Sequence, residues 1–340
     1  MMKPAVICAC VGVCVAVFAT TARAANMQVL NPRTCYFPGS QVSLPVSVVG
    51  AEDGMFNLLF TLSFKGTVVA RRQIPFAVRQ GQTGRETITF ELPDIRDGIA
   101  LKGGYRLELV DARGKTIDVA ESPLHVLDPD PFRYRQQWLT AQRLHVYDPE
   151  GVTVARLASS GIPFVQITNP DAFGEAAGGV LIIGEGLSLR RSRGVIGAAL
   201  ATVAKQTSVI VFAPSEGEFV LPGVGGEAST AKDGNPRVIR FHGPEMIPAL
   251  DKRLDDANWG GAAGDNVLHY FEIGAHRDHP EVRVDAKQGW TGISLDWAHG
   301  QQMFFSGFAV MRDWDASPAP RYFFAALLDE IQRSRGQTED

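Results

Sequence analysis

Residues 209–219 read "VIVFAPSEGEF". Val209, Ile210, Val211 and Phe212 run without alternation, and Ala213-Pro214 ends them. An unbroken apolar run this short marks a strand covered on both faces. Proline stops it because it cannot extend a ladder. The pattern recurs at "GGVLIIG" (178–184). Between the two lies "SLRRSRGVIGAALATVAKQ" (188–206), with Leu189, Val195, Ile196, Leu200 and Val203 near helical spacing. Working back, "GVTVARLASSG" (151–161) reads as a short helix ended by Gly161, and "IPFVQIT" (162–168) as a strand. Working forward, "PAPRYFFAALLDEIQRS" (318–334) puts Phe323, Phe324, Leu327, Leu328 and Ile331 on one helix face. Helix and strand in alternation predict an α/β domain over 141–335, a parallel sheet with helices on both faces.

The first part of the chain follows a different period. "QVSLPVSVVG", "FNLLFTLSF", "TVVARRQIPF", "RETITFELP", "GYRLELVDA" and "KTIDVAESPLHV" alternate, with Gly, Asp, Asn and Pro between them. Short strands at this spacing predict an all-β sandwich over 25–128. "DARGK" (111–115) supplies the Asp and Gly that a hairpin turn wants. The Asp/Pro-rich "LDPDPFRYRQQ" (127–137) opens a linker over 129–140, and 336–340 form a tail. The expected class is therefore two-domain, an N-terminal all-β sandwich plus a C-terminal α/β parallel-sheet domain.

The chain of 340 residues opens with a basic head, an apolar run "AVICACVGVCVAVFATT" and Ala22-Arg23-Ala24. These are the three parts of a secretory signal peptide over 1–24, and they imply export to the periplasm or beyond. The small residues that close the run favour cleavage over a retained anchor, and no later segment is long and apolar enough to span a bilayer. Three of the four cysteines fall in that segment, which leaves Cys35 and no internal disulfide. The formal net charge is −4, and loss of Lys3 and Arg23 makes it about −6. No basic block stands out, which argues against nucleic acid or anionic membrane as a partner.

The order of these segments resembles a class I glutamine amidotransferase-like domain. "VLIIGEG" ends in a Gly loop, a helix follows, and "VIVFAPSEG" ends in a turn. "GQQMFFSGFAVMRDWDASPAPRYFFAALLDEI" (300–331) is similar to the closing strand and helix of such domains in secreted bacterial β-galactosidase-like proteins. "LKGGYRLELVDARGKTIDVAESPLHV" (101–126) resembles the closing hairpin of immunoglobulin-like or fibronectin-III-like modules. The resemblance implies a flavodoxin-related fold with Ser215 where active amidotransferases carry their Cys nucleophile. It also implies the accessory placement of the non-catalytic members.

Three features speak against catalysis by Ser215. "EFVLPGVGGEAST" (218–230) is a poor helix, Pro214 precedes the serine, and no late His-x-Glu pair follows. His242 and His299 are the candidate bases if Ser215 is a nucleophile. Otherwise the candidate ligand-binding residues are Glu185, Ser215, Glu216, Trp290 and Trp297. Glu185, Ser215 and Glu216 come at strand ends, where open sheets bind ligands. Trp290 and Trp297 can stack on sugar rings, and their spacing in "GWTGISLDWAHG" (289–300) sends them to opposite faces. "HRDH" (276–279) reads as a polar turn, so no metal and no cofactor is expected. The partner is a protein or a glycan, and the oligomeric state is open. The two functions that follow are a secreted non-enzymatic binding protein and a serine hydrolase using Ser215.

Overall fold

The chain folds first into eight described strands. These are β1 (Ala25–Val29), β2 (Cys35–Tyr36), β3 (Gln41–Gly50), β4 (Gly54–Phe64), β5 (Thr67–Val78), β6 (Thr83–Glu91), β7 (Ala100–Asp111) and β8 (Thr116–Leu127). They form two sheets, ordered β1-β3-β6 and β2-β8-β7-β4-β5. Alternation places their shared core: Phe56, Leu58, Phe60, Leu62 and Phe64 of β4 point inward against Val42, Leu44, Val46 and Val48 of β3. The Phe60 and Phe90 rings lie 4.8 Å apart across the two sheets. Asp111 ties the β7–β8 turn by accepting from the Arg113 and Lys115 N–H groups, both at 2.8 Å. The structure, a computed structural model, describes residues 25–30, 32–50, 53–221, 235–243, 266–276 and 279–336. The expected signal segment 1–24, Trp259 and tail residues 337–340 lie outside the described residues.

The rest of the chain continues with α1 (Gln136–Ala141), β9 (Leu144–Tyr147), α2 (Val152–Ser159), β10 (Val165–Ile167) and a 3-10 segment (Pro170–Ala176). Next come β11 (Val180–Ile183), α3 (Val195–Val203), β12 (Ser208–Phe212), β13 (Gly217–Val220) and β14 (Val238–His242). The last elements are β15 (Tyr270–His276), β16 (His279–Ala286), β17 (Gly292–Asp296), β18 (Gln302–Ser306) and α4 (Ala319–Gly336). A seven-stranded sheet has the order β10-β9-β11-β12-β18-β17-β14, and a three-stranded sheet the order β13-β16-β15.

The expected class, a two-domain chain with an α/β parallel-sheet domain, is overturned. The chain is mostly β, with few helices, and its large sheet is mixed. β10, β9, β11, β12 and β18 are parallel, but β17 and β14 join antiparallel. One face of this sheet carries the expected helices: Ile182, Ile210, Phe212 and Phe304 pack with Leu157 of α2 and Phe323, Phe324 and Leu328 of α4. The other face is shared. Leu181, Val209, Val211 and Phe305 meet α3 at one end and Phe219, Phe271, Val282 and Val284 of the three-stranded sheet at the other. A second sheet stands where helices were expected. An unbroken apolar strand records that both faces are covered, not what covers them.

A two-domain split at the linker is not clearly shown either. Phe132 is buried in the same core as α4, and Cys35 and Leu127 from the first part join it. Arg33 donates to the Ala316 carbonyl at 2.7 Å, and Arg321 to the Pro129 carbonyl at 2.8 Å. The Asp128 carboxylate accepts from the Gly98 and Asp130 N–H groups and from Arg133. Asp and Pro in "LDPDP" build a tied turn rather than a solvated tether.

Candidate functional site

The parallel strands β9, β11, β12 and β18 end at one edge of the large sheet, level with one another. Register pairs Ile183 with Tyr147 and with Val211, and Phe212 with Ser306. Asp148, Glu185 and the turn Ala213–Glu216 follow directly from these ends.

Glu185 is 4% exposed. Its carboxylate accepts from the Met311 N–H at 2.8 Å and the Arg312 N–H at 2.9 Å, and its own N–H donates to Thr153 at 3.0 Å. Burial pushes its carboxyl up to about 7, against the pull of those two N–H groups and of Arg312. The residue is thus a tie between the strand edge and the segment leading to α4. Gly184 beside it has no room for a side chain, because a Cβ would lie 2.4 Å from the Asp148 carboxylate. Asp148 is buried too, and accepts from the Val154 N–H at 2.9 Å in the first turn of α2. Sequence reading missed Asp148, although "DPEG" before an apolar helical run is a start signal.

Ser215 is half-buried, and its N–H donates to the Leu187 carbonyl at 2.9 Å. The chain after it forms β13, not a helix. Glu216 accepts from the Ser188 hydroxyl at 2.8 Å, lies 3.5 Å from Arg190, and is bridged to Ser188 through the backbone. Arg190, Arg191 and Arg193 precede α3, which begins only at Val195.

Neither candidate base reaches Ser215. His242 is level with Phe212, since His242 pairs with Gly292, Gly292 with Ser306, and Ser306 with Phe212. Three strand spacings separate them, about 14 Å. His242 is 3% exposed, its Nε2 lies 2.9 Å from the Ser294 hydroxyl, and burial lowers its pKa to about 4. His299 is exposed in the turn between β17 and β18, at the opposite edge of the sheet from Ser215. The opposite facing expected of the two tryptophans is not met, because Trp290 packs against Phe241, which lies on the same core face as Trp297. Trp297 is 6% exposed and belongs to the core, so it cannot meet a sugar. Trp290 is 41% exposed, with Phe241 5.6 Å from its ring. His276 and His279 pair across the β15–β16 hairpin. Among the described residues no three His, Cys, Asp or Glu side chains gather closely enough to hold a metal ion.

Beside Ser215 opens a cleft of about 680 Å³. One wall is residues 189–200, with Arg190 and Arg193; the other is Glu216–Val220 with Arg283 and Asp285. Gly217 allows the two walls to meet at its base: φ is +111°, and a Cβ would lie 2.8 Å from the Arg190 N. Sequence reading found Glu216 but not the cleft.

No family model matches the chain, and no curated protein matches it. Solved structures give partial likenesses. The sporulation control protein Spo0M from Bacillus subtilis is 17% identical, with a TM-score of 0.26 over 34% of this chain and 54% of its own. A putative β-galactosidase from Bacteroides fragilis is 10% identical, with a TM-score of 0.26 over 56% of this chain and 38% of its own. A FixG-related protein from Vibrio parahaemolyticus is 13% identical, with a TM-score of 0.21 over 31% of this chain and 96% of its own. At these scores no likeness assigns the chain to a family.

Proposed function

We propose that this chain is an exported, non-hydrolytic binding protein that holds a partner protein or a glycan beside the carboxyl edge of its large sheet. The observation that carries the reading is the course of the chain after Ser215. A nucleophile on such a turn needs helix N–H groups behind it for the oxyanion and an imidazole within reach. Ser215 runs instead into β13, and His242 and His299 stand elsewhere on the sheet. The polar groups at the edge serve the fold: Glu185 holds Met311 and Arg312, and Glu216 holds Ser188. What remains open to a ligand is the cleft and the exposed Trp290. Export rests on the sequence of residues 1–24. The test is turnover of a panel of aryl esters and amides by wild type and by Ser215→Ala. Equal background rates are expected. Turnover that disappears in Ser215→Ala would establish the hydrolase in place of the binding protein.

A further inference from the structure

The open side of β13 forms one flank of the cleft. β13 pairs with β16 alone among the described strands, and Leu221 donates to the Pro280 carbonyl at 3.1 Å. In an antiparallel pair, alternate residues exchange hydrogen bonds with the partner. Phe219 and Gly217 therefore face β16 through their backbone groups, and the N–H and C=O of Glu218 and Val220 point the other way. On that side a ladder has already begun, because Leu189 donates to the Glu216 carbonyl at 2.9 Å and Ser188 bridges Glu216 in parallel. The chain then leaves the ladder to start α3 at Val195. Among the described residues no strand pairs with the edge from Gly217 to Val220, about 13 Å long, on the side of the cleft.

We propose that this edge receives an extended, acidic segment of a partner polypeptide as an added strand, continuing the ladder that residues 187–189 begin. The inference rests on the binding reading above and names its ligand class. Charge guides the segment: the wall facing β13 brings Arg193 to the cleft together with Arg190, which Glu216 already approaches at 3.5 Å, while Glu216, Glu218 and Asp285 line the β13 side. Carboxylate side chains on the added strand would face those guanidinium groups. A glycan fits less well, because Phe219 is the cleft's aromatic residue and it is buried in the core. Backbone pairing would supply affinity, and the alternate side chains specificity.

The test is selection of random decapeptides, displayed on phage, against the full-length protein. Selected peptides should be acidic and should bind Arg193→Glu about tenfold more weakly or worse. Val220→Pro removes an outward N–H and should weaken them similarly. A peptide N-methylated one residue at a time should lose binding at alternate positions on the wild-type protein, a pattern that needs no variant to fold. Three outcomes would overturn the inference: no peptide above background, selected peptides indifferent to Arg193→Glu and to N-methylation, or a concentration-dependent dimer that Val220→Pro abolishes. Ester turnover that depends on Ser215 would sink the binding reading and leave the peptide result to be judged on its own.

Discussion

Glu185 and His242 titrate in opposite senses over the same range of pH. Burial raises the Glu185 carboxyl from 4.5 to about 7, so between these values the folded chain holds a proton that the unfolded chain has lost. Its stabilising contribution is full below pH 4.5 and is lost as pH rises through 7. Burial lowers His242 from 6.5 to about 4, so there the unfolded chain holds the extra proton. Its contribution is full above pH 6.5 and is lost as pH falls through 4. Each is worth on the order of 3 kcal/mol, and the two largely cancel. His269, also lowered by burial, adds to the side of His242. Glu185→Gln should therefore be less stable at about pH 5 than at about pH 7, and His242→Gln the reverse. Urea unfolding at the two pH values measures both, and equal slopes in the two variants would contradict the assignment. Neither burial was legible in the sequence. Glu185 could be placed at a strand end by "VLIIGEG", but its partners Met311 and Arg312 lie 126 and 127 residues away.

α4 shows what the sequence does disclose about an element. Phe323, Phe324, Leu327, Leu328 and Ile331 share a face by spacing, and all are buried. Phe324 sits 6.0 Å from each of the Phe132, Phe212 and Trp314 rings, between the tied turn, the large sheet and the approach to α4. Phe324→Ala leaves a cavity that these rings cannot all fill. It should cost about 3–5 kcal/mol in denaturant unfolding. A loss under about 1 kcal/mol would mean that the rings do not depend on it. The buried strands β11 and β12 were legible for a similar reason, since their apolar runs leave no polar face. The three-stranded sheet was not. β13 has four residues, only Phe219 of which is buried, and such a segment resembles a loop until β16 is set beside it. The cleft wall is built from residues 189–200, 216–220 and 283–285, so no local motif marks it.

At the scale of the whole molecule, Phe132, Cys35 and Leu127 join the first part of the chain to the core beneath α4. Limited proteolysis should leave the bonds from Asp128 to Arg135 intact, because the Asp128 carboxylate and the buried Phe132 hold that turn. Early cleavage there, with two protected fragments, would restore the division that the Asp/Pro-rich sequence suggested. The change of period at the linker was real: among the described residues strands precede it, and helices appear only after it. It marks a change of element, and periodicity carries no information on how the parts pack. Ser215 is a turn residue without catalytic machinery, and the binding reading depends on it. Intact-mass measurement after exposure to a fluorophosphonate probe tests it. A serine hydroxyl with no base is a poor nucleophile, so wild type and Ser215→Ala should both stay unlabelled. One probe per chain on wild type, absent from Ser215→Ala, would contradict the account.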